Sequence, residues 1–388
     1  MSASNRFYKE SQRLPLSRPL SWKRYFREVV AKDSVMWIAL GLAVVSAVIS
    51  RQPLSAYASY IDYKTLAALF SLMVASGGFM LSGLFDWVAV KLVRSSHDTR
   101  PLLMKMVACV FFSSMLITND VALIVFVPMT LIAYRKAGVD PLLPVVLETV
   151  AANVGSALFP VGNPQNLYLF SRFQMGLAPF LRTVAPICLF GGVLLFALCF
   201  FAGKRPITAP RKVLPVIDGR QISLYAVLFF LALLGIFNVL DYRMVFGIAV
   251  LVMISKGKNL AQQVDYALLV TFIGFFVFVG NLRGMPAVEA VLVSITEPDA
   301  YLAGVLASQV ISNVPAAILL SNFATEPYSL LAGVSVGGCG TLIASMASLI
   351  SYKLYIRSCS NKGRYLAVFT VINVAFILVL TALWYCTR

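Results

Sequence analysis

A charged residue within a long apolar segment is the feature that most constrains this chain. The stretch Ile117-Thr118-Asn119-Asp120-Val121 interrupts a predominantly apolar segment that runs from Met104 to Ala133. A carboxylate is expensive in hydrocarbon, so its presence there indicates a function. A second polar stretch, Ile311-Ser312-Asn313-Val314-Pro315, interrupts another apolar segment, and its surroundings align with those of the first. We therefore predict that the chain contains two copies of one membrane unit.

The composition agrees with a helical membrane protein. Hydrophobic residues make up 60% of the chain and charged residues 12%, against roughly 25% charged in a soluble domain. Several apolar runs approach the 20 or so residues that a transmembrane helix needs. The net charge of +16 resides in loops between these runs, so we expect no nucleic-acid partner. The six cysteines form no CxxC pair and there is one histidine, which argues against a structural zinc site.

The apolar runs divide the chain into an arm, two repeats and a linker. We predict a basic cytoplasmic arm at 1–33, a first repeat at 34–202, a linker with a connecting helix at 203–240 and a second repeat at 241–388. The first repeat contains a re-entrant hairpin at 101–133 and a broken helix at 141–170. The second contains a hairpin at 287–325 and a broken helix at 328–352. The predicted fold is therefore an all-α polytopic membrane protein with an inverted structural repeat.

The positions of Lys and Arg orient this arrangement in the membrane. If both hairpins are re-entrant, about nine runs cross the bilayer and most basic residues fall on one side. The positive-inside rule makes that side the cytoplasm and places the N-terminus there. The second hairpin is flanked by Glu297, Asp299 and Glu326, which suits the opposite face. The two hairpins therefore enter from opposite sides.

The repeat is visible in paired motifs. Thr118-Asn119-Asp120 matches Ser312-Asn313-Val314, and Gly155-Ser156-Ala157-Leu158 matches Gly340-Thr341-Leu342-Ile343. Upstream, glycines at Gly77-Gly78 and at Gly280 and Gly284 predict a bend before each hairpin. Inverted repeats with discontinuous helices at corresponding places are typical of secondary transporters with a midplane site.

Each half offers two interruptions where polar chemistry is expected. The first is the hairpin tip, where Asn119 or Asn313 can adopt tight-turn geometry and supply a donor and an acceptor. The second is the Gly- and Pro-rich stretch downstream, at 155–166 and 337–345, which cannot hydrogen-bond itself as a helix. Half-helix N-termini suit an anion, whereas carbonyl, Asn and Thr oxygens suit Na⁺. Asp120 would repel an anion, and it and Glu148 are candidates for a proton relay.

At these residues the chain resembles the Ion Transporter superfamily, in its branch of arsenite permeases and sodium/proton antiporters, and within that the YbiR-like inner-membrane proteins. The resemblance is most specific at Thr118-Asn119-Asp120 followed by Pro128, at Gly162-Asn163-Pro164-Gln165-Asn166, and at Ser312-Asn313 with Pro315. It implies scaffold and transport domains, two re-entrant hairpins, elevator-type alternating access and a homodimer.

The resemblance also implies which residues bind. The substrate and ion would be bound by Thr118, Asn119, Asp120, Gly162, Asn163, Pro164 and Asn166 in the first half, and by Ser312, Asn313, Gly340, Thr341 and Ser345 in the second. A Na⁺ site would use Thr118, Asn119 and Asn163. The two tips differ from the Ser-Asn-Thr of the superfamily's dicarboxylate carriers, which argues against a dicarboxylate substrate.

These observations predict an ion-coupled secondary transporter in a bacterial inner membrane. Its substrate would be a small inorganic or organic anion or a neutral oxyacid, with Na⁺ or H⁺ as the coupling ion and no other cofactor. The alternatives are a cation/proton antiporter that uses Asp120, and a channel or pore subunit. The sequence contains no GxxxxGK[ST], so it cannot drive ATP-coupled pumping alone. The motif HExxH is also absent, and we do not expect an enzyme.

Overall fold

The protein is described by a computed structural model that covers residues 21–207, 216–283 and 285–387. These residues form α-helices with a short 3₁₀ and a short π segment, and among them no strand occurs beyond one isolated bridge between Asp98 and Pro206. The predicted all-α class is therefore confirmed. Most of the predicted N-terminal arm, residues 1–20, lies outside the described residues.

The chain separates into two compact units, each built from two segments. Unit 1 combines residues 1–85 with 215–281, and unit 2 combines residues 86–214 with 282–388. The helices of unit 1 are α1 (Trp22–Tyr25), which continues as a π-helix (Phe26–Val30), α2 (Ser34–Ser50), α3 (Leu54–Tyr60), α4 (Tyr63–Leu81), α11 (Gly219–Ile236), α12 (Tyr242–Lys256), α13 (Lys258–Ala261) and α14 (Tyr266–Leu282). Helix α5 (Leu84–Arg94) begins at the boundary between the units.

Unit 1 packs α4 against α11 and α12 around an apolar core. Phe70 and Val74 of α4 meet Tyr225 and Leu228 of α11 in this core. Gly78 allows the close approach, because a side chain there would collide with the ring of Tyr225.

The bend predicted at Gly77-Gly78 is wrong, and no bend occurs at Gly280 itself. Helix α4 runs without interruption through Gly77 and Gly78, and α14 runs through Gly280, which lies against the Tyr60 ring. These glycines make room for neighbouring side chains, and the helices do not break because their backbone hydrogen bonds continue. Gly284 lies outside the described residues.

Unit 2 contains both hairpins and both broken helices. Its remaining helices are α6 (Thr99–Ile117), α7 (Asn119–Lys136), α8 (Leu142–Ser156), a 3₁₀ turn (Pro160–Gly162), α9 (Pro164–Arg172), α10 (Leu177–Phe201), α15 (Pro286–Thr296), α16 (Ala300–Ile311), α17 (Asn313–Leu320), α18 (Pro327–Gly337), α19 (Met346–Ser358) and α20 (Lys362–Cys386).

Packing within unit 2 follows the same scheme in both halves. The first arm of each hairpin packs against the helix that precedes the break in its own half, α6 on α8 and α16 on α18. The second arm packs against the helix that follows the break in the other half, α7 on α19 and α17 on α9. The two halves of the sequence thus exchange equivalent contacts, as a repeated unit would.

The second hairpin is shorter than predicted. The expected hairpin at 287–325 includes the separate helix α15, and the two arms are α16 and α17. The cause lies between Thr296 and Ala300, where Pro298 cannot donate a helical hydrogen bond and the Asp299 carboxylate caps α16 by accepting from the Leu302 amide at 2.9 Å. The sequence analysis missed this boundary between α15 and α16 because the apolar residues on both sides of it were counted as one run.

Five helices of the described residues are long and apolar enough to cross a membrane: α4, α6, α10, α11 and α20. A sixth is added if α14 and α15 are counted as one broken span, and α2, α8 and α16 are shorter apolar helices. The protein is therefore a multi-pass membrane protein. The count of about nine crossings, the inversion of the repeats and the sequence boundaries of the predicted domains stay predictions.

Candidate functional site: two hairpin tips and two broken helices

The two hairpin tips have the same unusual backbone. Thr118 has φ 71° and ψ 145°, and Ser312 has φ 73° and ψ 153°. Non-glycine residues rarely adopt positive φ, and such strain of about 1–3 kcal/mol concentrates at functional sites. Our expectation that Asn119 and Asn313 form the tight turn is wrong by one residue, because each of them instead begins the second arm.

Both predicted helix breaks are present. Helix α8 ends at Ser156, the chain makes a 3₁₀ turn, and α9 begins at Pro164. In the second half α18 ends at Gly337 and α19 begins at Met346. Each break leaves carbonyl groups without helical partners, and these must be satisfied by other protein groups in a membrane.

Asn166 satisfies the first break. Its Nδ2 lies 3.3 Å from the carbonyl oxygen of Ser156, 3.1 Å from that of Ala157 and 3.4 Å from that of Phe159. Its Oδ1 accepts from Ser335 of α18 at 3.3 Å. Asn166 is fully buried, so this predicted ligand holds the broken backbone and shapes the site rather than lining an open surface.

Gln309, which the sequence analysis did not select, has the same role at the second break. Its Nε2 donates to the carbonyl oxygens of Gly337 at 2.8 Å and Cys339 at 3.2 Å, and its Oε1 accepts from the Thr341 amide at 2.9 Å. The Thr341 hydroxyl donates to the Gln309 carbonyl at 2.9 Å. The available signal was a lone amide side chain in an apolar hairpin arm, three residues before the tip.

Asn153, also missed, connects the two halves. Its Oδ1 accepts from Asn119 Nδ2 at 3.4 Å and from Ser345 Oγ at 3.0 Å. Its Nδ2 donates to the Gly338 carbonyl at 3.0 Å and to Ser348 Oγ at 3.4 Å. One buried amide of α8 therefore joins the first hairpin tip to the second broken helix.

The second tip contacts the second break directly. The backbone N–H of Asn313 donates to the Ala344 carbonyl at 2.9 Å, and Ser312 Oγ donates to the same carbonyl at 3.4 Å. Ser345 caps α19 by accepting from the Ala347 amide at 3.2 Å. Ser312, Asn313 and Ser345 thus lie together, and their role in binding stays a prediction.

Two predicted glycines are required by space and conformation. A side chain at Gly162 would meet the carbonyl oxygens of Ser156 and Ser114. Gly340 has φ 111°, and a side chain there would collide with Gln309. Both positions keep the breaks compact, since they allow backbone and amide groups to approach closely.

Asn163 and Pro164 lie at the start of α9. The Asn163 Nδ2 lies 3.5 Å from Ser156 Oγ, and Pro164 opens the helix at a position where no amide hydrogen is needed. A Na⁺ site at Thr118, Asn119 and Asn163 stays a prediction. No group of three or more His, Cys, Asp or Glu side chains is placed to hold a metal ion among the residues that the structure describes.

Two buried polar atoms of this region have no hydrogen-bond partner among the described residues: Asn313 Nδ2, a donor, and Gln165 Oε1, an acceptor. The side chains are 2% and 1% exposed. They lie in the first turns of α17 and α9, which pack against each other. A buried polar atom without a partner is costly, so each is suited to a ligand.

The two predicted proton-relay carboxylates lie in different surroundings. Asp120 is half-buried in the first turn of α7, next to the tip. Glu148 is fully buried in the middle of α8 and accepts a hydrogen bond from the Thr130 hydroxyl. The structure therefore places Asp120 at the tip and Glu148 away from it.

These features define a helical membrane protein with broken helices around a buried polar junction, the architecture of a membrane transporter. The chain belongs to the CitMHS family, described as citrate transporters, whose family model matches residues 28–336. The family comprises membrane transporters and not enzymes.

Two relatives match over most of the chain. The protein is similar to the uncharacterized transporter MJ0456 of Methanocaldococcus jannaschii, with 32% identity over 325 residues, 83% of this chain and 89% of that protein. It is also similar to the inner membrane protein YbiR of Escherichia coli, with 33% identity over 355 residues, 88% of this chain and 90% of that protein. The resemblance drawn from the sequence is confirmed.

A solved structure has a similar fold. The YdaH transporter of Alcanivorax borkumensis, described as having an unusual topology, superposes with a TM-score of 0.52 at 13% identity. The match covers 91% of this chain and 97% of that one. At this identity the likeness supports the fold alone.

Proposed function

We propose that this protein is a secondary active transporter of a bacterial inner membrane, which moves a small anion or a neutral oxyacid in exchange with or together with Na⁺ or H⁺. The observation that carries the proposal is the junction at Asn153, where the first hairpin tip and the second broken helix share one buried amide. Membership of a transporter family and the similarity to an inner membrane protein of Escherichia coli support it.

The chemistry of the junction favours a substrate that is recognised by hydrogen bonds and helix ends. The side chains that form it are amides and hydroxyls, and four helices, α7, α9, α17 and α19, begin at the tips and breaks. Helix N-termini and the unpartnered Asn313 Nδ2 suit the oxygen atoms of an anion or oxyacid. The unpartnered Gln165 Oε1 suits a hydroxyl of an oxyacid or a cation.

The proposal includes elevator-type alternating access and a homodimer, both of which the family resemblance implies. The mass of the purified protein in lipid nanodiscs tests the dimer directly. A monomer at every concentration would remove the homodimer from the proposal.

Uptake into proteoliposomes tests the function. Citrate, succinate, phosphate, arsenite and silicic acid are offered under an imposed Na⁺ gradient, a pH gradient or neither. We expect saturable, gradient-dependent accumulation of one of them, lost in Asn313→Ala. Asn322→Ala is the matched control, because Asn322 follows the same helix at its opposite end and its Nδ2 bonds to Ile318. Electrical currents far above carrier turnover would identify a channel instead.

Cation/proton antiport is the second candidate, favoured by the position of Asp120 in the first turn after the tip. A ligand that binds the folded state stabilises it in proportion to RT ln(1 + [L]/Kd). If the protein is an antiporter, Na⁺ or Li⁺ alone should raise its thermal stability and Asp120→Asn should remove this effect. Stabilisation by an anion, retained in Asp120→Asn, would support the anion carrier.

A further inference from the structure

Glu148 is a fully buried carboxyl group that the substrate junction does not use. It lies in α8, eight residues before the break at Ser156, and is therefore about 12 Å from it along the helix axis. Its Oε1 accepts from the Thr130 hydroxyl of α7, which is also fully buried. Its Oε2 is buried without a hydrogen-bond partner among the described residues.

Within residues 21–207, 216–283 and 285–387, no cation is recorded as compensating this carboxyl group. The titratable side chains that interact with it come from four packed helices: Cys109 of α6, Tyr134 of α7, Cys199 of α10 and Tyr365 of α20. Buried cysteine and tyrosine side chains are neutral at physiological pH, so none of the four supplies a positive charge. The contact that stabilises a charged Glu148 is the single hydrogen bond from Thr130. A buried charge with one hydrogen bond and no counter-ion is strongly disfavoured, so the carboxyl group is neutral and carries a proton in this conformation.

We propose that Glu148 carries the coupling proton of this transporter, an inference that rests on the proposed function. The proton stays on the carboxyl group while α6, α7, α10 and α20 pack around it. When a conformational change admits water, the O–H bond breaks, the proton passes to a water molecule, and the carboxylate retains the electron pair. The Thr130 hydroxyl donates to the carboxylate until it is protonated again from the other side.

Asp120 is less suited to this role. A carboxylate in the first turn of a helix is stabilised by the helix dipole and by free amides, and Asp120 occupies that position in α7. Glu148 lies in mid-helix, where neither contribution exists. Two carboxyl groups in contrasting surroundings commonly divide the charged and neutral roles of a site. We therefore assign the coupling proton to Glu148 rather than to Asp120.

Glu148→Gln tests the proposal, because the amide retains the shape and can accept from Thr130 but cannot carry a proton. Infrared spectra in lipid should show a protonated carboxyl band in the wild type that is lost in Glu148→Gln and retained in Asp120→Asn. In proteoliposomes, Glu148→Gln should lose accumulation driven by a pH gradient. It should retain exchange of radiolabelled solute at equal pH, measured with the panel given above.

The outcomes separate this proposal from the proposed function. A carboxyl band whose intensity is unchanged between the wild type and Glu148→Gln, or normal pH-driven accumulation by that variant, overturns the role of Glu148 and leaves the transporter intact. A wild type that transports no solute of the panel contradicts the proposed function, while the infrared band still decides whether Glu148 is protonated. Thr130→Val covers the case in which Glu148→Gln does not fold. Thr130→Val keeps the Glu148 carboxyl group but removes its hydrogen bond, so it should shift both the infrared band of Glu148 and the pH profile of uptake. An unchanged band and an unchanged profile would also contradict the proposal.

Discussion

Thr118 and Ser312 hold the two hairpin tips in a backbone conformation that glycine would adopt at lower cost. Neither residue is glycine, although the chain contains 24 glycines. The strain persists because the surrounding contacts determine the backbone, as at Ser312, whose hydroxyl bonds to the second break. The tips are therefore shaped for a fixed geometry at the expense of stability.

We predict that Thr118→Gly raises the free energy of unfolding by about 1 kcal/mol, because glycine adopts the positive φ of this position without strain, and that it lowers transport. Thermal unfolding in detergent and proteoliposome uptake measure the two effects. Ser113→Gly, inside α6, is the control and should lower stability. Loss of stability in Thr118→Gly would show that the tip is not strained.

Asn153 carries the second prediction at this scale. Asn153→Ala leaves Ser345 Oγ, the Asn119 amide and the Gly338 carbonyl without this partner. Unsatisfied buried groups cost about 1–3 kcal/mol, so stability should fall and transport should be lost. Asn373→Ala is the control, since the Asn373 amide donates within its own helix to Phe369. Equal losses in the two variants would mean that Asn153 is ordinary packing.

The sequence predicted the tips and missed the residues that hold them together. The motifs Thr118-Asn119 and Ser312-Asn313 repeat and could be recognised. Asn153 and Gln309 do not repeat, and each lies in a helix that reads as apolar. Their partners in the tips and breaks are 28 to 195 positions away in the chain, and local patterns contain no information about contacts at such separations.

At the scale of elements, the two breaks are held by different devices. At the first break, Asn166 of the following helix α9 donates to the freed carbonyl groups. At the second break, Gln309 of the hairpin arm α16 does so. The Gly- and Pro-rich composition predicted where the helices break, because proline removes a donor and glycine allows close approach. It did not predict which amide would satisfy the freed carbonyls.

Gly340→Ala should destabilise the second break by about 1–3 kcal/mol, because its φ of 111° and the proximity of Gln309 both exclude a side chain. Gly247→Ala in α12 is the matched control. No atom would meet its new methyl group, so it should gain about 0.5–1 kcal/mol from helix propensity. Chemical or thermal unfolding of both variants provides the comparison, and an unaffected Gly340→Ala would contradict the geometry of the break.

For the whole molecule, the spatial units do not follow the sequence halves. We predicted repeats at 34–202 and 241–388, whereas unit 2 takes hairpins and broken helices from both halves and unit 1 takes the segments around them. Hydrophobic runs and their order predict membrane helices well. They do not predict which helices segregate, because that depends on packing such as α7 on α19.

This packing predicts how the chain behaves when divided. Fragments 1–207 and 208–388, expressed together, should copurify, because each half supplies elements that the other needs to complete unit 2. Expressed alone, each fragment should be degraded. Affinity purification through a tag on one fragment measures the association. Fragments that are stable and folded but do not copurify would contradict the shared packing of unit 2.

The hydrogen bonds of Asn153 also bear on the resting state of the transporter. The position equivalent to Asn153 is Val334 when the ends of α8 and α18 are aligned, and Gly338 when Gly155 is aligned with Gly340, so the amide has no counterpart in the second half. In a transporter made of two identical inverted halves, the inward-open and outward-open states would have equal free energy. If the halves of this protein are inverted in this way, an amide present in one half alone removes that equality, and we predict that the unloaded protein favours one of the two states.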